Sequence, residues 1–180
     1  MTVGDTRLLT PVGAKRDTNL APDVPLAYTP EHCVIAEPAA NRWTQRISAA
    51  GAEAELTCEI VSKSALRVGV ILRRAAPDGR PVAVHLTFVP YPESPVAFSD
   101  GGQAAIDGAR WEKTGITELR HHVWRLSVPA AAQISCPVLP HNPYTSDGHA
   151  EAKEGRLVVT LPLERSGASF DLMLTVAGVT

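Results

Sequence analysis

Residues 66–88, LRVGVILRRAAPDGRPVAVHLTF, decide the fold class of this chain. Side chains alternate between the two faces of a β-strand, and apolar residues occupy every second position in two parts of this stretch. They are Leu66, Val68, Val70 and Leu72 in the first part, and Val82, Val84, Leu86 and Phe88 in the second. Between the two parts, Pro77 fixes its own φ and Gly79 accepts a positive φ, which is typical of a turn. The stretch therefore predicts two antiparallel strands joined as a β-hairpin.

Short apolar runs predict further strands on both sides of this stretch. The clearest run covers residues 52–61, where Ala54, Leu56, Cys58 and Ile60 alternate with mostly polar side chains. Later runs predict strands at 109–113, 118–128, 133–138, 156–163 and 170–177, and residues 164–167 form a turn between the last two. No convincing helical periodicity competes with these strands.

The predicted fold is all-β with little helix: an antiparallel two-sheet sandwich, jelly-roll-like in character. A closed lipocalin-like β-barrel is the alternative, because the same alternation and turn spacing suit both architectures. The 15 prolines and 13 glycines fit many turns between antiparallel strands. Parallel sheets are disfavoured because the crossover helices they need are missing.

The chain divides into a proline-rich N-terminal arm at 1–31 and a single β domain at 32–180. Pro11, Pro22, Pro25 and Pro30 each remove a backbone donor and disfavour helix at the preceding residue. The arm is expected to be extended, with one short strand at 6–9. It is expected to lie along a sheet edge or to mediate a homo-oligomer.

Charge and hydropathy narrow the classes of partner. The formal net charge is −2, from 17 basic and 19 acidic residues spread along the chain. No basic patch indicates nucleic acid or an anionic membrane, so neither is expected as a partner. No signal peptide and no transmembrane run is visible, which predicts a soluble, cytoplasmic protein.

Three cysteines, Cys33, Cys58 and Cys136, lie far apart without a CxxC pair. An odd number cannot close into a disulfide framework, so free thiols are expected. Cys58 lies at an apolar position of its strand and is predicted to be buried and unreactive.

A proline-rich loop at 137–149 is one candidate binding segment. Its prolines stiffen the chain, and rigid loops on a β scaffold often carry binding residues. The residues offering hydrogen-bonding groups are His141, Asn142, Tyr144, Asp147 and His149. The competing interpretation is a structural connection between the sheets, with a turn at Asp147. The spacing of the two histidines matches no recognised ligand pattern, so no metal and no other cofactor is predicted.

A second candidate set begins at Trp111, the second tryptophan of the chain. Aromatic rings stack on the apolar faces of sugars while charged groups bind the hydroxyls, and this chemistry is present in Trp111, Glu118, Arg120, His121 and His122. The alternative interpretation places the tryptophans in the core; it is favoured for Trp124 and left open for Trp111.

The predicted strand at 118–128 contains a conflict of parity. Leu119 and Trp124 fall on opposite faces of a regular strand, although both look inward-facing. A β-bulge between Arg120 and Val123 would resolve the conflict and redirect His121 or His122 towards a site. Partial coverage of both sheet faces is the competing interpretation.

Two functions are consistent with these observations. One is a non-catalytic β-sandwich module that binds a glycan, another small molecule or a protein. The sequence contains no P-loop, zinc-protease or serine-hydrolase motif, which agrees with a non-catalytic role. The other is a small barrel or jelly-roll enzyme that encloses an apolar ligand and uses a histidine or carboxylate as acid or base. The binding module is preferred because no catalytic motif is visible.

Overall fold

The computed structural model describes residues 2–3, 6–8, 26–27, 32–106, 109–139, 151 and 154–177. These ranges form β-strands and connections, and no α-helix occurs within them. The strands are β1 (Thr2–Val3), β2 (Thr6–Leu8), β3 (Leu26–Ala27), β4 (His32–Ala39), β5 (Arg42–Ala49), β6 (Ala52–Ser62), β7 (Ala65–Arg74), β8 (Val82–Phe88), β9 (Val96–Phe98), β10 (Gln103–Ala104), β11 (Trp111–Lys113), β12 (Glu118–His121), β13 (Trp124–Ser127), β14 (Gln133–Val138), β15 (Arg156–Leu163) and β16 (Ser169–Val176).

The strands form two sheets. The seven-stranded sheet has the order β11-β14-β15-β8-β1-β2-β3, and the nine-stranded sheet has the order β10-β9-β12-β13-β16-β7-β6-β5-β4. All pairings are antiparallel except the short one between β2 and β3. Neither sheet closes on itself within the described residues, which confirms the predicted two-sheet sandwich and rules out the lipocalin-like barrel.

The core lies between the sheets. Val70, Leu72 and Leu172 from the nine-stranded sheet are buried, as are Val84 and Leu161 from the seven-stranded sheet. Aromatic rings also meet across the layers, with 5.6 Å between the ring centroids of Phe88 and Trp124. Each fully buried aliphatic side chain contributes about 1.5–3 kcal/mol, so these alternating positions hold the two sheets together.

The predicted hairpin between β7 and β8 is wrong, although both strands exist. β7 pairs with β6 and β16, whereas β8 pairs with β15 and β1. The turn itself forms, since the Gly79 N–H donates to the Ala76 carbonyl at 3.0 Å and Gly79 has a φ of 73°. Turn chemistry predicts where the chain reverses but not which sheet receives the next strand. Residues 75–81 therefore cross from one sheet to the other.

The predicted bulge in 118–128 is also wrong, because the segment is a hairpin. β12 and β13 pair with each other, and His122 and Val123 form the connection. Leu119 pairs with Leu126 and His121 with Trp124 in the antiparallel register. Directly opposite residues share a face, so reversal of the chain resolves the parity conflict without an extra residue.

Three features of the remaining chain bear on earlier predictions. Strands at 133–138 and 156–163 occur with the predicted bounds, and β1 from the N-terminal segment pairs with β8. The assignment of 1–31 as a separate arm stays a prediction.

Within the described ranges, no helix is long and apolar enough to cross a membrane.

The three cysteines are unbridged. Cys136 is buried, and burial raises the pKa of its thiol to about 11. Cys58 is half-buried rather than fully buried, and burial raises its pKa as well. These two thiols are therefore poor sources of thiolate near neutral pH.

Candidate functional site

Half of the predicted site residues lie outside the part of the chain that the structure describes. These are the loop residues His141, Asn142, Tyr144, Asp147 and His149. The other five lie on β11, β12 and the β12–β13 connection, and the structure separates them into different environments.

Trp111 is a half-buried residue of the edge strand β11. Its ring meets Phe98 edge-on, with 5.3 Å between centroids, and its indole N–H donates to the Ala105 carbonyl at 2.7 Å. The polar atom of the indole is therefore occupied within the protein. Trp111 packs against the core with part of its surface exposed, and its role in sugar stacking stays a prediction.

His121 is buried, with 1% of its surface exposed. Its Nε2 accepts the Tyr91 backbone N–H at 2.8 Å, and its Nδ1 lies 3.2 Å from the Pro95 carbonyl. This pattern requires the neutral tautomer that carries its proton on Nδ1. Desolvation lowers the pKa of His121 below its ordinary value of 6.5. His121 thus anchors the segment from Tyr91 to Pro95.

Glu118 and Arg120 point away from the core, on the other face of the same strand. Arg120 Nε lies 2.6 Å from Glu118 Oε1, and Arg125 Nε lies 3.6 Å from Glu118 Oε2. The His122 ring stacks on Tyr91 with 4.7 Å between centroids. A small cleft of about 250 Å³ adjoins these residues and is lined by Arg120, His122, Val123, Trp124, Arg125 and residues 175–177. We call it the hairpin cleft.

A larger groove lies on the outer face of the nine-stranded sheet. Because Val70 and Leu72 are buried, the alternate residues of β7 face away from the seven-stranded sheet. The groove has a volume of about 350 Å³ and is formed by β5, β6, β7 and β16. We call it the central groove; its lining includes Arg42, Thr57, Glu59, Arg67, Gly69 and Asp171.

Gly69 forms the floor of the central groove. In the sheet register it lies between Thr57 on β6 and Asp171 on β16. A Cβ atom at this position would lie 3.3 Å from Asp171 Oδ1 and 3.9 Å from Thr57 Cβ. Glycine weakens the interior of a strand by about 0.5–1 kcal/mol relative to alanine, and such a residue often marks close approach by a ligand.

Glu55, at one side of the groove, is bound by two arginines of the same sheet. Its Oε1 accepts Arg73 Nη2 at 2.6 Å and its Oε2 accepts Arg46 Nη2 at 2.8 Å. Hydrogen bonding to Arg73 and then Arg46 lowers the pKa of Glu55, against the opposing effect of burial. Glu55 is therefore held as a carboxylate, and each of its oxygens accepts a hydrogen bond from an arginine.

Two charged groups of the central groove remain available. Arg67 Nη1 pairs with Glu59 Oε2 at 3.3 Å. By contrast, Arg42 and Asp171 form no ion pair or side-chain hydrogen bond with the described residues. The groove thus offers a free guanidinium and a free carboxylate, together with the hydroxyl groups of Thr57 and Ser169. Among the residues described, no group of three or more His, Cys, Asp or Glu is arranged to hold a metal ion.

Sequence reasoning missed the central groove because four strands contribute to it. Arg42, Thr57, Gly69 and Asp171 become neighbours only through the order of the sheet. One local signal was present: an isolated glycine within an apolar alternation marks a bulge or a close approach. Polar residues at alternate positions of β6 marked the outer face but gave no reason to single it out.

Comparison with known proteins defines the class at the level of fold. No protein-family profile and no curated protein matches the chain. A structure from Escherichia coli K12 assigned as an aldose 1-epimerase has a TM-score of 0.52 and 7% identity, covering 82% of this chain and 69% of that one. The 4-alpha-glucanotransferase from Thermococcus litoralis has a TM-score of 0.40 and 13% identity, covering 80% of this chain and 22% of that one. The first similarity indicates a shared β-sandwich fold. The second is too weak to support a conclusion about this chain.

Proposed function

We propose that the protein is a carbohydrate-binding β-sandwich module and that the central groove is its binding site. The observation that carries the proposal is the position of Gly69. The floor of the groove has no side chain there, and a free carboxylate and a hydroxyl group stand on either side of it. A ligand ring is thereby able to approach the backbone of the sheet closely.

The chemistry of the lining suits a polyol. A carboxylate accepts hydrogen bonds from two hydroxyl groups, and a guanidinium donates several in a fixed plane. Asp171 and Arg42 supply these groups, and Ile71 adds an apolar surface to the same groove. Sugars need this mixture of polar contacts and apolar coverage. The apolar contact proposed here comes from an aliphatic side chain, whereas the sequence offered Trp111 as a candidate for sugar stacking and left its place in the core open.

The shared fold supports the same class of ligand by analogy. The Escherichia coli structure is assigned as an aldose 1-epimerase, and an aldose is a sugar. Fold similarity at such low identity does not transfer an activity. A catalytic role for this chain stays an untested prediction. The version of it that required a closed β-barrel is excluded, because both sheets are open within the described residues.

The test is a calorimetric titration of the purified chain with a panel of neutral and acidic oligosaccharides. We expect at least one glycan to bind and Asp171→Ala to weaken that binding by roughly tenfold or more, because hydrogen bonds to charged groups contribute about 1.5–3 kcal/mol. Glu164→Ala is the matched control, since Glu164 is an exposed carboxylate that does not line the groove. Absence of binding to every glycan, or equal binding by wild type and Asp171→Ala, would overturn the proposal.

A further inference from the structure

We infer that the central groove selects an acidic oligosaccharide whose carboxylate pairs with Arg42. This inference rests on the proposed function and specifies the class of glycan. It follows from the distribution of charge along the groove, where one guanidinium lacks a carboxylate partner among the described residues.

The other two arginines of the groove already have carboxylate partners. Arg67 pairs with Glu59, and Arg73 pairs with Glu55. Glu55 also accepts Arg46, which does not line the groove and has a second partner in Glu53. Glu59 on β6 lies directly opposite Arg42 in the sheet register, yet its carboxylate pairs with Arg67 on β7, the neighbouring strand on the other side. A ligand carboxylate is therefore able to pair with Arg42 without breaking an existing ion pair, and Glu59 offers little repulsion because Arg67 already compensates its charge.

Arg42 and Asp171 lie near opposite ends of the groove. The register runs from Arg42 to Glu59, Arg67 and Met173, and Asp171 is two residues from Met173. Three spacings between neighbouring strands, at about 4.8 Å each, and two residues along a strand give a separation on the order of 15 Å. This is the separation of the two Cα atoms, and it favours a ligand longer than a single sugar ring. The arrangement fits an oligosaccharide with a uronate near β5 and a hydroxyl-rich ring near β16.

Arg42 is expected to recognise a carboxylate through the geometry of its hydrogen bonds as well as through its positive charge. The guanidinium fork donates two parallel hydrogen bonds to a carboxylate, and such bonds are shorter and stronger than neutral ones. The free Asp171 at the other end disfavours a uniformly charged polyanion through like-charge repulsion. The preferred ligand is consequently acidic at one end of the groove and neutral at the other.

The experiment compares trisaccharides that differ only in one terminal unit, with galactose exchanged for galacturonate, glucose for glucuronate, or mannose for mannuronate. We expect one acidic member to bind on the order of tenfold more tightly than its neutral counterpart. Arg42→Ala should abolish this advantage, so that the acidic and the neutral trisaccharide bind the variant with equal affinity. Arg165→Ala is the control, since Arg165 is exposed and lies outside the groove. The advantage should also decrease with added salt.

The outcomes separate the two claims. Binding of neutral and acidic members with equal affinity, or an acidic advantage that survives in Arg42→Ala, would overturn this inference and leave the carbohydrate proposal standing. Failure of every trisaccharide to bind the wild type would overturn both. Equal binding of a trisaccharide with a sulfated terminal unit would show that Arg42 recognises anions in general, which contradicts the preference for a carboxylate.

Discussion

Adjacent histidines on the β12–β13 hairpin have different roles because their side chains enter different environments. His121 faces the core and exchanges two hydrogen bonds with the backbone around Tyr91 and Pro95. His122 occupies the turn, with a φ of 50°, and its exposed ring stacks on Tyr91. Residue type alone did not distinguish them in the sequence. The position of the turn decides that His121 belongs to the strand and His122 to the connection.

Protonation of His121 is expected to destabilise the fold. Burial lowers its pKa in the folded state below the ordinary value of 6.5, so the unfolded chain binds the proton first as the pH falls. The contribution of neutral His121 to the free energy of unfolding is therefore complete above pH 6.5 and is lost progressively below it. Urea denaturation across this range should show the loss in wild type and a smaller pH dependence in His121→Gln.

The exposed neighbour supplies the control for this pH experiment. His122→Gln should retain most of the pH dependence of the wild type, because burial lowers the pKa of His121 more than repulsion from His122 does. If the stability difference between wild type and His121→Gln were the same above and below pH 6.5, buried neutral His121 would have no part in the pH dependence.

Connections decide the arrangement of the strands at the level of elements. The sequence predicted turns at 76–79 and 164–167 correctly, because proline and glycine impose local backbone geometry. Both connections carry the chain from one sheet to the other, as the pairings of β7, β8, β15 and β16 show. Sheet membership depends on distant strands, so local turn chemistry could not predict it.

The β5–β6 turn is linked to one of these crossings. Gly51 has a φ of 74°, and a Cβ atom there would lie 2.7 Å from Pro77 Cδ. Gly51→Ala is therefore expected to combine backbone strain with a steric clash and to lower the free energy of unfolding by roughly 2 kcal/mol or more. Denaturant unfolding measures this loss.

Gly79 is the matched control for Gly51. Its φ is 73°, but a Cβ atom would find nothing within 4 Å. Gly79→Ala should cost only the backbone strain, about 1–2 kcal/mol. Equal losses in the two variants would contradict a packing contact between the β5–β6 turn and Pro77.

At the scale of the whole molecule, alternation predicted the fold class and most strands, because burial of one sheet face imposes a period of two. The candidate site was only partly predictable. Glu118 and Arg120 do lie on the outer face of the nine-stranded sheet, in the same sheet as the central groove. The groove itself depends on the adjacency of β5, β6, β7 and β16, and no spacing within the sequence encodes that order.

The open sandwich also explains where a ligand site is available. The inner faces of both sheets are filled by core side chains such as Leu72, Leu126, Leu157 and Leu161. Binding at the outer face leaves this core unchanged, so variants of the central groove should alter affinity with little effect on stability. This separation makes the site testable by a substitution that fills the groove.

Titration of Gly69→Val with the strongest-binding glycan of the panel tests the central claim most directly. The side chain would fill the floor of the groove, and its nearest neighbour is the flexible end of Asp171. Because valine favours strands more than glycine does, the melting temperature should not fall. We predict at least roughly tenfold weaker binding, with a smaller loss in Gly69→Ala. Affinity equal to that of the wild type in a folded Gly69→Val variant would contradict the central groove as the binding site.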